Sequence, residues 1–176
     1  RGLPSDHDLP EGDAMKVEGD GKSPAGAFPL TGVYGYPPSR EVETAMPYSA
    51  IGPDLICCDD AASEYYNRIV DIAETDLDTG NMPSHEDMRR TDDLYKYVIT
   101  VGHNIWETEP GAGSCIFLHL WNGPASSTAG CTAMGEDVML RLLRRLDPEE
   151  HPVFVLLTAA DYQRLMVSWG LPDVTM

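Results

Sequence analysis

Glycine and proline interrupt residues 16–38, KVEGDGKSPAGAFPLTGVYGYPP, so often that this segment cannot form a helix. Proline removes a backbone N–H that a helix interior uses, and glycine weakens a helix wherever it occurs. Short apolar pieces remain between these residues, and such pieces predict short strands joined by turns. The first structured part of the chain is therefore expected to be β-structure.

Three later segments also predict strands, at residues 95–104, 114–121 and 151–158. The first contains several β-branched residues, which pack well on a pleated surface. The second, SCIFLHLW, is apolar at nearly every position, as expected for a strand that is covered on both faces. The third, HPVFVLLT, is also expected to be buried.

Helices are predicted in a smaller part of the chain. EDVMLRLLRRLD at 136–147 places its apolar residues on one stripe, while its arginines face water and suit the C-terminal turn. Ser84, followed by acidic residues, resembles the capped start of a helix that runs to residue 95. A last short helix is predicted over 160–169. These elements predict a single mainly β domain, a sandwich or partly closed barrel of short strands with two or three peripheral helices.

The length of 176 residues suits one domain with its own core. Residues 1–14 are polar, contain two prolines and show no periodicity. They are expected to form a flexible N-terminal arm ahead of a domain that spans residues 15–176.

The charge of the chain excludes some partners. Lys and Arg total 12, Asp and Glu total 29, and the net charge is −17. So acidic a surface argues against nucleic acid and anionic membrane as the main partner. No apolar run reaches the roughly 18 to 20 residues of a membrane span, so no transmembrane segment is predicted.

Cys131, in the stretch TAGCTAM at 128–134, is a candidate nucleophile. A cysteine attacks as its thiolate, so a nucleophilic cysteine needs a base or a positive dipole nearby. His119 lies 12 residues upstream, on a predicted strand that leads into the small-residue loop before Cys131. The two side chains can meet, and the small neighbours leave room for a substrate carbonyl. A buried structural thiol stays open as the alternative.

The other cysteines allow further interpretations. Cys57, Cys58 and Cys115 do not form a paired framework with Cys131, and at most one intrachain disulfide is expected if Cys131 is free. Cys115 is expected to be a small core residue, and the adjacent Cys57 and Cys58 to point to opposite sides. A zinc site built from Cys115, His119, Cys131 and His103 is a weaker alternative, because no closely spaced ligand pair supports it.

The segment FLHLWNGPASSTAGCTAM resembles the active-site segment of the L,D-transpeptidases, the YkuD-type domain that cross-links bacterial peptidoglycan. Thr128, Gly130 and Cys131 match its motif, and His119 stands where the upstream histidine belongs. Segments 16–30, 58–71 and 92–104 are also similar to a branch of that family.

The match to the family motif is incomplete. Ala129 replaces the histidine that usually precedes the glycine, and Ala133 stands where asparagine or arginine is usual. These departures concern substrate preference and the choice between an amine and water as acceptor.

The resemblance implies a mechanism without metal or organic cofactor. Cys131 would be the nucleophile and His119 its base, with the Leu120 carbonyl orienting the imidazole. The backbone N–H groups of Gly130 and Cys131 would form the oxyanion site. The thiolate would attack a stem peptide between its third and fourth residues and release D-alanine. An amine would resolve the thioester as a 3→3 cross-link, whereas water would make the protein an L,D-carboxypeptidase.

The resemblance also implies partners and a location. Peptidoglycan stem peptides would be the substrates, carbapenem β-lactams would acylate Cys131, and the protein would act outside the cytoplasmic membrane, as in the periplasm. A non-catalytic cell-wall-binding module is the alternative from another class. Five residues are candidates for substrate binding: Thr128, Trp121, Tyr66, Asn67 and Asn104. Packing is the competing interpretation for Tyr66 and Trp121.

Overall fold

The computed structural model describes residues 15–174, so the arm predicted for residues 1–14 lies outside the described residues. Within 15–174 the chain forms nine strands and two α-helices. The strands are β1 (Gly26–Gly35), β2 (Tyr48–Ala50), β3 (Leu55–Cys58), β4 (Arg68–Asp71), β5 (Glu86–Asp87), β6 (Tyr97–Val101), β7 (Phe117–Leu120), β8 (Thr132–Met134) and β9 (Val153–Leu156). The helices are α1 (Glu136–Arg145) and α2 (Ala159–Leu165). The expectation of a mainly β domain is confirmed.

Six strands form the main sheet, in the order β2-β1-β6-β7-β8, with β9 paired to β1. The first half of β1 pairs antiparallel with β9, and its second half lies between β2 and β6. The pairing with β6 shifts register between Leu30 and Gly32, so one long strand serves two sets of partners. The sheet does not close into a barrel.

A second, three-stranded sheet in the order β4-β3-β5 covers one face of the main sheet. Cys57 and Met88 from this part of the chain pack against Val98 and Phe117. Helix α1 covers the opposite face through Met139 and other buried residues. β7 is thus buried on both sides, as its apolar sequence predicts, and its residues alternate between two cores.

A disulfide bond joins Cys57 of β3 to Cys115, just before β7, and so ties the small sheet to the main one. Cys115 is buried in the core, as expected, and in addition forms the one disulfide among the described residues, which agrees with the expectation of at most one. Cys57 and Cys58 do not divide between inside and outside, because both are buried. Cys57 lies in the core that includes Val98 and Phe117, and Cys58, which points to the other face of β3, is also fully buried.

The helix predicted from Ser84 to residue 95 is wrong. The segment contains β5 and turns, because the backbone of Glu86 and Asp87 pairs with β3. The Ser84 hydroxyl donates to the Asp59 carboxylate at 2.6 Å instead of capping a helix. β9 confirms a strand in 151–158, but Val153 is exposed and the rest of β9 is half-buried, because this strand lies at the sheet edge.

Helices α1 and α2 confirm the two later helix predictions, although both end earlier than expected. Among residues 15–174, neither helix has the length and hydrophobicity needed to cross a membrane.

Candidate active site

Cys131 lies just before β8 and His119 lies on β7, at the edge of the main sheet where these two strands run parallel; the hydrogen bonds described for the two side chains go to the backbone and not to each other. His119 is in register with Ala133, and Leu118 with Thr132, so Cys131 stands opposite Phe117. The backbone N–H of Phe117 donates to the Cys131 sulfur at 3.4 Å. Phe117 and His119 share one face of β7, because strand side chains alternate. Ideal strand spacing puts positions related like Cys131 and His119 about 8 Å apart at Cβ. The Cys131 sulfur is bonded beside Phe117 and Cys115, so it must turn toward His119 before a proton can pass between the two side chains.

His119 is buried and its ring orientation is set by two contacts. The Nδ1 atom lies 2.6 Å from the Leu120 carbonyl oxygen. Since a carbonyl only accepts, Nδ1 carries the proton and Nε2 keeps its lone pair. The ring of Tyr95 packs edge-on against the imidazole, with centroids 5.2 Å apart. Burial lowers the pKa of His119, so the neutral form that can act as a base is favoured at neutral pH.

The Cys131 thiol is half-buried and bonded to the backbone beside β7. It donates to the Cys115 carbonyl at 3.5 Å and accepts from the N–H of Phe117. Burial first, and the nearby Glu86 carboxylate second, raise the pKa of Cys131 to about 12. At neutral pH the site therefore holds a neutral thiol and a neutral imidazole. This state suits proton transfer during attack better than a standing thiolate–imidazolium pair.

We expect the alkylation rate of Cys131 by iodoacetamide to keep rising with pH from 7 to beyond 10. The reason is that only the thiolate reacts, and a raised pKa moves its formation above the range of an ordinary cysteine. Alkylation quenched at successive times, followed by peptide mapping, measures this rate, since mapping separates Cys131 from Cys58. A rate that is already constant at pH 7 would show a thiolate–imidazolium pair and contradict this prediction.

Thr128 and Gly130 shape the turn that carries Cys131. The Thr128 hydroxyl donates to the Cys131 carbonyl at 2.6 Å and so holds the turn, and its role in substrate binding stays a prediction. Gly130 is buried and has a φ of +144°, a backbone conformation that residues other than glycine rarely adopt. A Cβ added there would lie 3.0 Å from the Lys22 carbonyl oxygen. The N–H of Gly130 has only a long contact of 3.5 Å to the Thr128 hydroxyl, which leaves it available as an oxyanion donor.

We expect Gly130→Ala to lower the free energy of unfolding by about 1 to 3 kcal/mol, because it combines backbone strain with a close contact to backbone. Urea unfolding followed by circular dichroism measures the change. Gly52→Ala is the matched control, since a Cβ at Gly52 meets nothing within 4 Å. Equal stability of the two variants would contradict the prediction.

Asn67 and Asn104 lie behind the site and are fully engaged with backbone. The Asn67 amide donates to the carbonyls of His103 and Asn104 and accepts from the N–H of Cys115. The Asn104 amide donates to the carbonyls of Glu109 and Gly113 and accepts from the Glu109 N–H. Both residues have positive φ, at 62° and 55°, as asparagine tolerates. They hold the loop that leads to Cys115, and a role of either residue in substrate binding stays a prediction.

Tyr66 also belongs to this supporting layer. Its side chain is buried, and its hydroxyl donates to the Glu18 carboxylate at 2.5 Å and accepts from the N–H of Gly113. The Ser114 hydroxyl reaches the same Glu18 oxygen at 2.6 Å. Burial raises the pKa of Tyr66 to about 12, so the phenol stays protonated. Trp121 differs from these residues, because it is 39% exposed at the end of β7 and is free to contact a ligand.

Three residues of the site do not follow from the sequence motifs: Tyr95, Glu86 and Arg90. The Tyr95 hydroxyl donates to the Glu86 carboxylate at 2.6 Å. The Arg90 guanidinium lies over the ring of the same tyrosine, 5.1 Å from the ring centroid. Burial raises the pKa of Glu86. Glu86 and Arg90 lie in the segment wrongly predicted as a helix, and a helix would have pointed their side chains in other directions. Tyr95, within the stretch DDLYKY, was the signal that the sequence offered for this part of the site.

The described residues contain no group of three His, Cys, Asp or Glu that could hold a metal ion. Cys115 is bonded to Cys57, so it cannot serve in the alternative zinc set. His103 is buried, with Nε2 2.9 Å from the Ala112 carbonyl.

A scan against protein-family models finds no match to this chain, and searches of curated proteins and of solved structures find none either. Function is therefore inferred from the chemistry of the site and from the motifs around it.

Proposed function

We propose that this protein is a cysteine-dependent acyltransferase that acts as an L,D-transpeptidase on peptidoglycan stem peptides. The observation that carries the catalytic part is that Cys131, just before β8, and His119, on β7, both border the core that contains Tyr95, with Nδ1 of His119 bonded to the Leu120 carbonyl. The substrate class is supported by the resemblance of FLHLWNGPASSTAGCTAM to the YkuD-type active-site segment.

The first half-reaction acylates the enzyme. His119 Nε2 takes the thiol proton while the Cys131 sulfur attacks the donor carbonyl carbon. The C–S bond forms and the amide C–N bond breaks, and the proton on His119 passes to the departing D-alanine nitrogen. The N–H groups of Gly130 and Cys131 stabilise the oxyanion on the way.

The second half-reaction transfers the acyl group. An amine of a neighbouring stem peptide attacks the thioester, and its proton passes to His119 Nε2. The C–S bond then breaks, the new amide leaves, and His119 returns the proton to the Cys131 sulfur. The sequence of steps needs no oxidant, metal or cofactor.

The disulfide between Cys57 and Cys115 supports a location outside the cytoplasm, as in the periplasm. Disulfides persist in oxidising compartments and are rare in reducing ones. The same location is where stem peptides would be met.

A non-catalytic cell-wall-binding module is the second candidate, and one observation favours it. The raised pKa of Cys131 is typical of a buried, structural thiol, whereas reactive cysteines usually have a lowered one. If the protein is an acyltransferase, the Cys131 thiol stays protonated until substrate binds, and His119 accepts its proton during the attack.

A third candidate is an L,D-carboxypeptidase on the same site. Ala133, in register with His119, leaves a short side chain beside the imidazole where a larger one would limit the entry of water. Water would then resolve the thioester in place of an amine.

We expect the purified protein to convert a disaccharide-tetrapeptide to a dimer that lacks one D-alanine. Mass spectrometry of the products measures this directly. A tripeptide monomer alone would establish the carboxypeptidase. Untouched substrate, together with binding to purified cell walls, would establish the binding module and contradict acyl transfer.

A further inference from the structure

Arg90 is a cationic side chain that is held over the ring of Tyr95, the same ring that packs against His119. Its guanidinium lies 5.1 Å above the ring of Tyr95, and that ring contacts His119 at 5.2 Å. Burial lowers the pKa of His119 and raises that of Cys131, and the positive charge of Arg90 adds a smaller lowering contribution to both.

Three contacts hold Arg90 in this position. The Tyr36 hydroxyl accepts from the Arg90 N–H at 2.9 Å and donates to the Arg90 carbonyl at 3.2 Å. The Asp92 carboxylate accepts from both Nε and Nη2 of the guanidinium. The Tyr95 ring supports its face. An arginine that is held in this way loses little conformational entropy when it binds a ligand.

The guanidinium still has free donors. Arginine has five N–H groups in a fixed plane, and Asp92 uses one on Nε and one on Nη2. Both N–H groups of Nη1 and one of Nη2 have no contact to Asp92 in this pairing. The Arg90 side chain is 38% exposed, so a ligand can reach these donors.

We propose that Arg90 binds the free C-terminal carboxylate of the acyl donor, and so restricts the enzyme to donors whose cleaved bond lies one residue before a free carboxylate. This proposal rests on the proposed acyl-transfer function, since it names the donor group that the same site recognises. The charge of the chain favours such a role, because a net charge of −17 repels anionic peptides and a local cation offsets this repulsion.

The test compares the alkylation of Cys131 by iodoacetate, which carries a carboxylate, with its alkylation by the neutral iodoacetamide. Both reagents react with the thiolate, so the ratio of the two rates cancels any change in thiolate fraction. We expect Arg90→Gln to lower the iodoacetate-to-iodoacetamide ratio by about tenfold, because charge-assisted hydrogen bonds to the carboxylate are lost. Arg90→Lys should lower the iodoacetate-to-iodoacetamide ratio less than Arg90→Gln does, since lysine keeps the charge but not the planar guanidinium.

Arg89→Gln is the matched control. It removes the same charge one residue away, where the guanidinium lies 4.1 Å over the Tyr36 ring. We expect this variant to change the ratio by less than about twofold. Equal effects of the Arg89 and Arg90 variants, or no effect of either, would overturn the proposal.

The outcomes separate this proposal from the proposed function. Dimer formation from the tetrapeptide with a ratio that does not depend on Arg90 would overturn the carboxylate site alone. A ratio that depends on Arg90, without turnover of any stem peptide, would overturn transpeptidation.

As a direct check, wild type should convert a donor with a free C-terminal carboxylate faster than the same donor as its C-terminal amide, and Arg90→Gln should reduce this difference in rate. An amide donor that reacts equally well in wild type would also overturn the proposal.

Discussion

Cys131→Ala is expected to remove dimer formation entirely, with a loss of at least about 10³-fold in rate, because no other group can carry the thioester. Cys58→Ala is the matched control, since Cys58 is the other described cysteine outside the disulfide but is fully buried. The control should retain the activity, apart from any loss of folded protein. Product mass spectrometry on the two variants and wild type measures both effects.

The same variants give a second readout with carbapenems. A carbapenem presents a strained carbonyl to the thiol, so wild type and Cys58→Ala should gain the mass of one inhibitor while Cys131→Ala stays unmodified. An unchanged intact mass of wild type after long exposure would contradict the assignment of Cys131 as an activated nucleophile. Activity that persists in Cys131→Ala would place the nucleophile elsewhere.

Removal of the disulfide is expected to have the largest effect on stability. The bond between Cys57 and Cys115 closes a segment with a sequence separation of 58. The chain-entropy relation for a loop of this size gives a stabilisation of about 4 kcal/mol. The double variant Cys57→Ala, Cys115→Ala should therefore lower the free energy of unfolding by that amount, as measured by urea unfolding under non-reducing conditions.

The disulfide also supports the site. Cys115 provides the carbonyl that accepts from the Cys131 thiol, and its N–H donates to Asn67. Loss of the bond should thus speed the alkylation of Cys131 as the backbone around Cys115 becomes less restrained. A change in unfolding free energy below about 1 kcal/mol would show that the bond contributes little to the folded state. Cys58→Ala is again the control, because it leaves the disulfide intact.

Much of the main sheet follows from local sequence. β7 was predictable because SCIFLHLW is apolar on both faces, and α1 because its apolar residues lie on one stripe. These signals depend only on the period of the apolar positions, which is a property of neighbouring residues. The positions of Cys131 and His119 at the ends of a loop were likewise visible in the chain.

The segment from Ser84 to residue 95 shows where local signals fail. Its acidic residues after a serine resemble a helix start, yet Glu86 pairs with Cys57 of β3. Residues distant in the chain decide this pairing, because a strand is stabilised by partners that its own sequence does not contain. The carboxylate of Glu86 and the guanidinium of Arg90 consequently lie at the site rather than on a helix surface.

The sequence by itself determined that the domain is mainly β, that α1 is a helix, and that a histidine and a cysteine lie at either end of one small-residue loop. Only the tertiary structure decided which cysteines bond, how the neutral thiol is held, and which groups surround His119. Periodicity and turn chemistry act between near neighbours, so they can be read along the chain. The pairing of Cys57 with Cys115 and the contact of Tyr95 with His119 join distant residues, and these depend on how the two sheets pack.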